Sequence, residues 1–209
     1  MKKSKYIDHT LLKPTATAAD IEKLCVEAKK YDFYSVCVNP YYVKLASSLL
    51  EGTDIKVACV IGFPLGANST EIKKLEAQEA VANGATELDM VINQGLFKMG
   101  EYAAVLNDIN AVCQAGVPVK VIVETSNLNS EEIAKLCDIV NESNALFIKT
   151  STGFVGEGAR LDDVKLMASL MKPGKFVKAS GGIRDAETFE NMIEAGATRI
   201  GTSSGTKLV

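Results

Sequence analysis

The sequence predicts a single (β/α)8 barrel domain over residues 1–209. Three observations predict it. Eight short apolar runs rich in β-branched residues alternate with stretches of helical periodicity. The runs end near residues 12, 38, 61, 92, 124, 150, 179 and 202, about 20–32 residues apart, which leaves room for right-handed crossovers between parallel strands. No linker, low-complexity segment or compositional shift divides the chain, and a 47% hydrophobic content supplies one sizeable core. A doubly wound sheet shows the same local pattern and is the competing architecture; the strand count favours the barrel.

Each element has its own signal. Tyr6–Leu12 reads as a first strand or extended entry. Thr17–Tyr31 places Ile21, Leu24, Cys25 and Ala28 on one helical face, with Thr17 or Asp20 positioned to cap it. Ser35–Val38 is a buried-type strand stopped by Asn39-Pro40, and Tyr41–Leu50 is helical up to Gly52. Lys56–Ile61 is a strand, followed by the loop Gly62–Gly66 and a helix over Ser69–Asn83 with Gly84 beyond its end. Glu87–Ile92 is a strand, Tyr102–Ala115 a helix closed by Gly116 and Pro118, and Val119–Glu124 a strand. Ser130–Glu142 carries an apolar stripe at Ile133, Leu136, Cys137 and Val140. The run ending in Lys149 is followed by a glycine-rich loop to Arg160 and a helix over Leu161–Met171. The run ending near Lys178 precedes a helix over Asp185–Ala195, with Asp185 as its cap. Arg199–Thr202 is the last strand, and Ser203–Val209 opens a final turn. A final covering helix is therefore expected to be short or missing; either a partner subunit covers that seam in a homodimer or that flank is thin.

Composition narrows the function. The net charge of -3 gives no basis for nucleic-acid affinity. No run of eighteen apolar residues is present, so no membrane span is expected. Basic residues near the start have no apolar stretch behind them, so no signal peptide is expected. Five cysteines, scattered and never in a CxxC pair, read as reduced thiols of a cytoplasmic protein. The single histidine, His9, lacks the context of a zinc ligand and reads as a packed or hydrogen-bonded side chain.

Lys149 is where the chemistry concentrates. Ala145-Leu-Phe-Ile delivers it to the point where the run stops being apolar. A free lysine, with a pKa of about 10.4, is only about 0.04% unprotonated at pH 7, so a nucleophilic amine needs its pKa lowered by about three units. Desolvation and a second cation both do this, and one charge at ~4 Å in an effective dielectric of ~20 is worth about 4 kcal/mol. Phe176-Val177-Lys178 offers that cation on the next strand, with Lys149 sharing a face with Phe147 and Lys178 with Phe176. Alone, Lys149 reads first as a strand-end lysine snorkelling to water; two lysines ending two strands, each followed by a small-residue loop, turn the reading to chemistry. Asp89, in Glu-Leu-Asp-Met-Val, is costly mid-strand unless paired; it reads as a buried ion-pair partner, a proton-transfer group, or both. Asp8, Lys120 and Glu124 read as supporting charges that keep the site neutral and oriented. Cys37 ends the second strand, either facing the site or packed as a small hydrophobe.

The loops after strands seven and eight, Ser180-Gly181-Gly182-Ile183-Arg184 and Gly201-Thr202-Ser203-Ser204-Gly205, stand where barrels bind phosphate. Glycine lets backbone N–H groups approach an anion, and a following helix N-terminus favours negative charge. Gly153 is placed to add a third donor and Arg184 a charge.

These segments carry a resemblance. Phe-Ile-Lys-Thr-Ser-Thr-Gly-Phe (147–154), Val-Lys-Ala-Ser-Gly-Gly-Ile-Arg (177–184) and Glu-Ala-Gly-Ala-Thr-Arg-Ile-Gly-Thr-Ser-Ser-Gly (194–205) resemble the deoxyribose-phosphate aldolase family. So do Ile-Asp-His-Thr-Leu-Leu-Lys-Pro (7–14), Ser-Val-Cys-Val-Asn-Pro (35–40), Ile-Gly-Phe-Pro-Leu-Gly (61–66) and Glu-Leu-Asp-Met-Val-Ile-Asn (87–93), in unbroken order. The resemblance implies a class I aldolase, free of metal and cofactor, that cleaves 2-deoxy-D-ribose 5-phosphate to D-glyceraldehyde 3-phosphate and acetaldehyde. It implies Lys149 as the Schiff-base lysine, Lys178 as the cation that lowers its pKa and Asp89 as the proton-transfer carboxylate. It implies a phosphate cradle of Gly153, Gly181, Gly182, Gly201, Ser203 and Ser204. The sequence departs from the family at Val155–Arg160, at Ser126–Leu128, and in showing no C-terminal tail ending in tyrosine, for which slower turnover is the expectation. A phosphosugar isomerase or epimerase on the same barrel would use carboxylates, histidine or metal. A non-catalytic phosphosugar binder would have no use for two converging lysines.

Overall fold

A computed structural model describes residues 2–209. Eight parallel strands close into a barrel in sequence order: β1 (Ile7–Leu11), β2 (Ser35–Val38), β3 (Lys56–Ile61), β4 (Glu87–Val91), β5 (Val119–Ile122), β6 (Phe147–Lys149), β7 (Phe176–Ser180) and β8 (Arg199–Thr202). β8 pairs back to β1, and so the sheet has no edge. The doubly wound alternative is excluded by that closure.

The helices are α1 (Ala18–Tyr31), α2 (Val43–Leu49), α3 (Thr70–Ala82), α4 (Gln94–Lys98), α5 (Tyr102–Cys113), α6 (Ser130–Glu142), α7 (Leu161–Leu170) and α8 (Ala186–Glu194). Their starts follow the capping chemistry of the sequence. Thr17 and Asp20 form a reciprocal capping box on α1, Asn129 and Glu132 another on α6, and Asp185 accepts from the Thr188 N–H on α8. Two differences from expectation are local. Pro40–Tyr42 is a 3-10 turn preceding α2, with Pro at its first position, where no backbone N–H is needed. α4 is additional: a single turn capped by Asn93, too short to show a periodic stripe. After β8 only a 3-10 turn, Gly205–Lys207, follows, and Leu208 behind it is buried in the core.

The apolar core lies between sheet and helices, where outward strand residues such as Ile7, Val36, Leu88, Val121, Ile148 and Ile200 meet the buried helix faces. A second, small apolar cluster of Leu12, Cys37, Ala58 and Val60 sits inside the barrel. Beside it, with Val91, Ile122 and Phe147 on the same inward face, the interior is ionic. His9, on the outward face of β1, is buried; its Nε2 lies 2.8 Å from Glu27 and its ring packs on Phe33. Burial lowers its pKa, with Glu27 opposing.

Candidate active site

Register decides which charges meet. Lys149 stands directly opposite Lys178, Lys178 opposite Arg199, and Asp89 opposite Lys120. Partners in register share a face, so all five point into the barrel. Lys149 and Lys178 each donate to Oδ2 of Asp89 at 2.7 Å. Lys120 donates to Oδ1 of Asp89 at 2.9 Å and is ion-paired to Oε2 of Glu87 at 2.6 Å. Asp8 receives Lys178, Ser35 at 2.7 Å and Arg199 at 3.0 Å. Arg199 also reaches Glu87 at 3.2 Å. Every one of these ionic side chains is buried.

The electrostatics separate the two lysines. Burial presses the pKa of Lys149 below the ordinary lysine value; Asp89 pulls it back up and Lys178 pushes it further down. For Lys178 burial acts the same way, but Asp8 and Asp89 together outweigh it, and its pKa is raised. The two lysines are therefore moved in opposite directions, Lys178 towards its charged form and Lys149 towards its neutral one. Desolvation is thus the larger device at Lys149, and the neighbouring cation the smaller. Asp89, although burial alone would raise it, is held well below the usual carboxylate range by Lys120, Lys149 and Lys178. Asp8 is held low by Lys178, Lys120 and Arg199, again against burial.

With Lys149 uncharged, the ionic set balances: Lys120, Lys178 and Arg199 against Asp8, Glu87 and Asp89. A dry interior tolerates a neutral network far better than one with a spare charge.

Among these ionic residues Lys149 alone reaches the wall of a cavity of about 280 Å³ at the C-terminal end of the barrel. The cavity is lined as well by Gly153, Gly181, Gly182, Gly201 and Ser203, with Lys13 and Arg184 adding positive charge. Among the described residues the amides of Gly153, Gly181, Gly182 and Ser203 donate to no backbone carbonyl. Gly181 and Gly158 adopt left-handed backbone, and a Cβ on Gly181 would stand 2.8 Å from the Gly158 Cα. That contact, with the Ala159 N–H donating to the Gly181 carbonyl at 3.1 Å, ties the divergent 155–160 loop to the Gly-Gly turn.

Several expected site residues take other positions. Ser204 does not line the cavity; its N–H is donated to the Thr202 hydroxyl at 2.9 Å. Gly201 makes room for Lys178 as well as lining the cavity: a Cβ there would sit 3.0 Å from the Lys178 Cε. The N-terminus of α8, which follows the Gly181-Gly182 turn, is capped by Asp185, and only a three-residue turn follows β8. Glu124 stays outside the ionic set. It is buried with left-handed backbone (φ 57°) and accepts from the Thr152 N–H at 3.1 Å and from the Thr152 hydroxyl, which in turn accepts from the Phe154 N–H at 3.1 Å. Gly153 lies inside that clamp. Cys37 packs in the apolar cluster with its thiol pKa pushed up to about 11 by burial, so it is a neutral, small hydrophobe.

Sequence reading missed Glu87, Arg199, Lys13 and Thr152. For the first two a signal existed. Glu87 precedes Asp89 by two residues and Arg199 precedes Gly201 by two, so strand parity puts both inside. Lys13 and Thr152 belong to loops, which have no such parity.

A family model described as DeoC/LacD family aldolase matches residues 3–208. The deoxyribose-phosphate aldolase of Bdellovibrio bacteriovorus is 55% identical over 211 residues, covering 100% of this chain and 96% of that one. That of Brevibacillus brevis is 54% identical with the same coverage. Among solved structures, "QR15, an Aldolase" superposes with a TM-score of 0.95 at 50% identity, covering 100% of this chain and 94% of the other. A deoxyribose phosphate aldolase from Aeropyrum pernix, described as having a unique tetrameric structure, gives 0.91 at 38% identity, covering 99% and 88%.

Proposed function

Since the chain belongs to the DeoC/LacD family of aldolases, we propose that it cleaves 2-deoxy-D-ribose 5-phosphate reversibly to D-glyceraldehyde 3-phosphate and acetaldehyde through an imine on Lys149, in deoxyribonucleotide catabolism. The observation that carries this reading is one buried amine of lowered pKa at the wall of a cavity that is also lined by unpaired backbone N–H groups and two cations.

The Lys149 amine attacks the C1 aldehyde, and loss of water gives the iminium. The C3 hydroxyl gives up its proton, the C2–C3 bond breaks, and its electron pair passes through C1 to the iminium nitrogen as an enamine. D-Glyceraldehyde 3-phosphate leaves. Protonation at C2 and hydrolysis of the renewed iminium return acetaldehyde and the amine. Asp89 relays protons to and from the Lys149 nitrogen it touches. Lys178, kept charged by Asp8 and Asp89, favours the unprotonated amine. The amides of Gly153, Gly181, Gly182 and Ser203, with Arg184 and Lys13, hold the phosphate.

Incubation with acetaldehyde and borohydride, followed by mass spectrometry, tests the proposal. The reduced adduct is expected on Lys149, and its absence there overturns the mechanism.

The proposal extends to setting and assembly. Five free cysteines are in keeping with a reducing cytoplasm. No helix among the described residues is long and apolar enough to cross a membrane. The tetrameric Aeropyrum pernix relative supports self-association, which we place at the level of a homodimer; sedimentation as monomer alone at micromolar concentration would refute it.

A further inference from the structure

We propose that Arg199 and Glu87, at the end of the barrel away from the cavity, are positioning residues for the imine chemistry, which between them, and with opposite sign, set the charge balance that decides whether Lys149 carries a proton. The inference rests on Lys149 being the imine-forming residue.

Arg199 opens β8 and Glu87 opens β4, and neither lines the cavity. Both are nevertheless wired to it. One path runs Arg199–Asp8–Lys178–Asp89–Lys149, the other Arg199–Glu87–Lys120–Asp89–Lys149, and each link is an ion pair or hydrogen bond between buried side chains. The Arg199 guanidinium cannot wander. It lies 3.4 Å above the Tyr34 ring and 5.4 Å from that of Phe147, stacked as an arginine stacks on aromatic faces. The charged groups around it are Asp8 from β1, Glu87 from β4, Lys120 from β5 and Lys178, its register partner, from β7. Those facing Lys149 are Asp89 from β4 and Lys178 from β7, with the neutral Cys37 thiol from β2.

Charge conservation inside this set sets the direction of each effect. Three cations and three anions leave no site for a further proton. Loss of the Arg199 charge leaves one anion in excess, which a proton on Lys149 neutralises. Loss of the Glu87 charge leaves one cation in excess, which repels that proton. A unit charge about 10 Å from an amine, in an effective dielectric of about 20, moves its pKa by about one unit. A side chain that only fills space would not give shifts of opposite sign.

The test is the pH dependence of borohydride trapping of acetaldehyde on Lys149 in the full chain, with the adduct located by mass spectrometry. Arg199→Met is expected to move the acid limb about one pH unit up, and Glu87→Gln about one unit down. The double variant is expected to return to the wild-type position, and Arg199→Lys to stay near it. Limbs that do not move in the single variants, or that move the same way, overturn the proposal while Lys149 is still labelled. Failure to label Lys149 in the wild-type chain overturns the imine reading itself. Should Arg199→Met not fold, the nearly isosteric Glu87→Gln decides alone, and an unmoved limb in it is refuting.

Discussion

Lys149 and Lys178 stand opposite each other on adjacent strands and donate to the same oxygen of Asp89, each at 2.7 Å. One carboxylate oxygen shared by two amines is best satisfied when a single one of them is charged. Asp8 breaks the symmetry, because it reaches Lys178 and not Lys149.

Lys178→Met removes the fixed charge and leaves Asp89 to stabilise a proton on Lys149. The acid limb of kcat/KM should move to higher pH, and turnover at pH 7 should fall by up to about a thousandfold if the shift approaches three units. A pH profile overlaying that of the wild type would show that Lys178 does not govern the amine.

Lys149→Met should abolish turnover without loss of stability. The folded pKa of Lys149 lies below its unfolded value. Between the two, the unfolded chain binds more protons, so stability rises with pH and the buried amine is a cost at neutral pH. Urea unfolding at pH 7 should give a midpoint equal to or above that of the wild type; a lower one contradicts the assignment.

Asp8→Asn tests the opposite sign. Asp8 and Asp89 titrate below 3.8 in the folded chain, so the stability they contribute is present above about pH 4 and is lost as pH falls below it. The substitution leaves Lys178 and Arg199 short of a partner and should cost about 3–5 kcal/mol at pH 7. Repeated at pH 3, the difference between the two chains should shrink. A penalty independent of pH would mean that Asp8 acts by shape rather than by charge.

Glu124→Ala should raise KM for the phosphorylated substrate by about tenfold, the equivalent of one hydrogen bond to a charged group, while kcat changes little. Its carboxylate holds Thr152 on one side of Gly153 and, through the Thr152 hydroxyl, Phe154 on the other. Glu124→Gln keeps an acceptor for Thr152 and should restore most of the affinity. A fall in kcat at constant KM would instead assign Glu124 to the proton chemistry.

The barrel and its central pair of lysines were legible in the sequence because both are set by short-range periodicity. Strands such as Ser35–Val38 and Lys56–Ile61 are bounded by their own composition. Phe147-Ile-Lys149 and Phe176-Val-Lys178 repeat one alternation, so two adjacent parallel strands in register bring the amines together. The fold decided what depends on sums over distant residues. The single-turn helix at Gln94–Lys98 is too short to carry a period, and Asn93 caps it. Ser204 gives its amide to Thr202 and Glu124 its carboxylate to Thr152, choices made by loop geometry. The proton affinity of Lys149 is governed first by burial and then by Asp89 and Lys178, which come from two other strands and are themselves ion-paired across the barrel. Coulomb energy and desolvation depend on distances through space, and no local stretch of sequence encodes those distances.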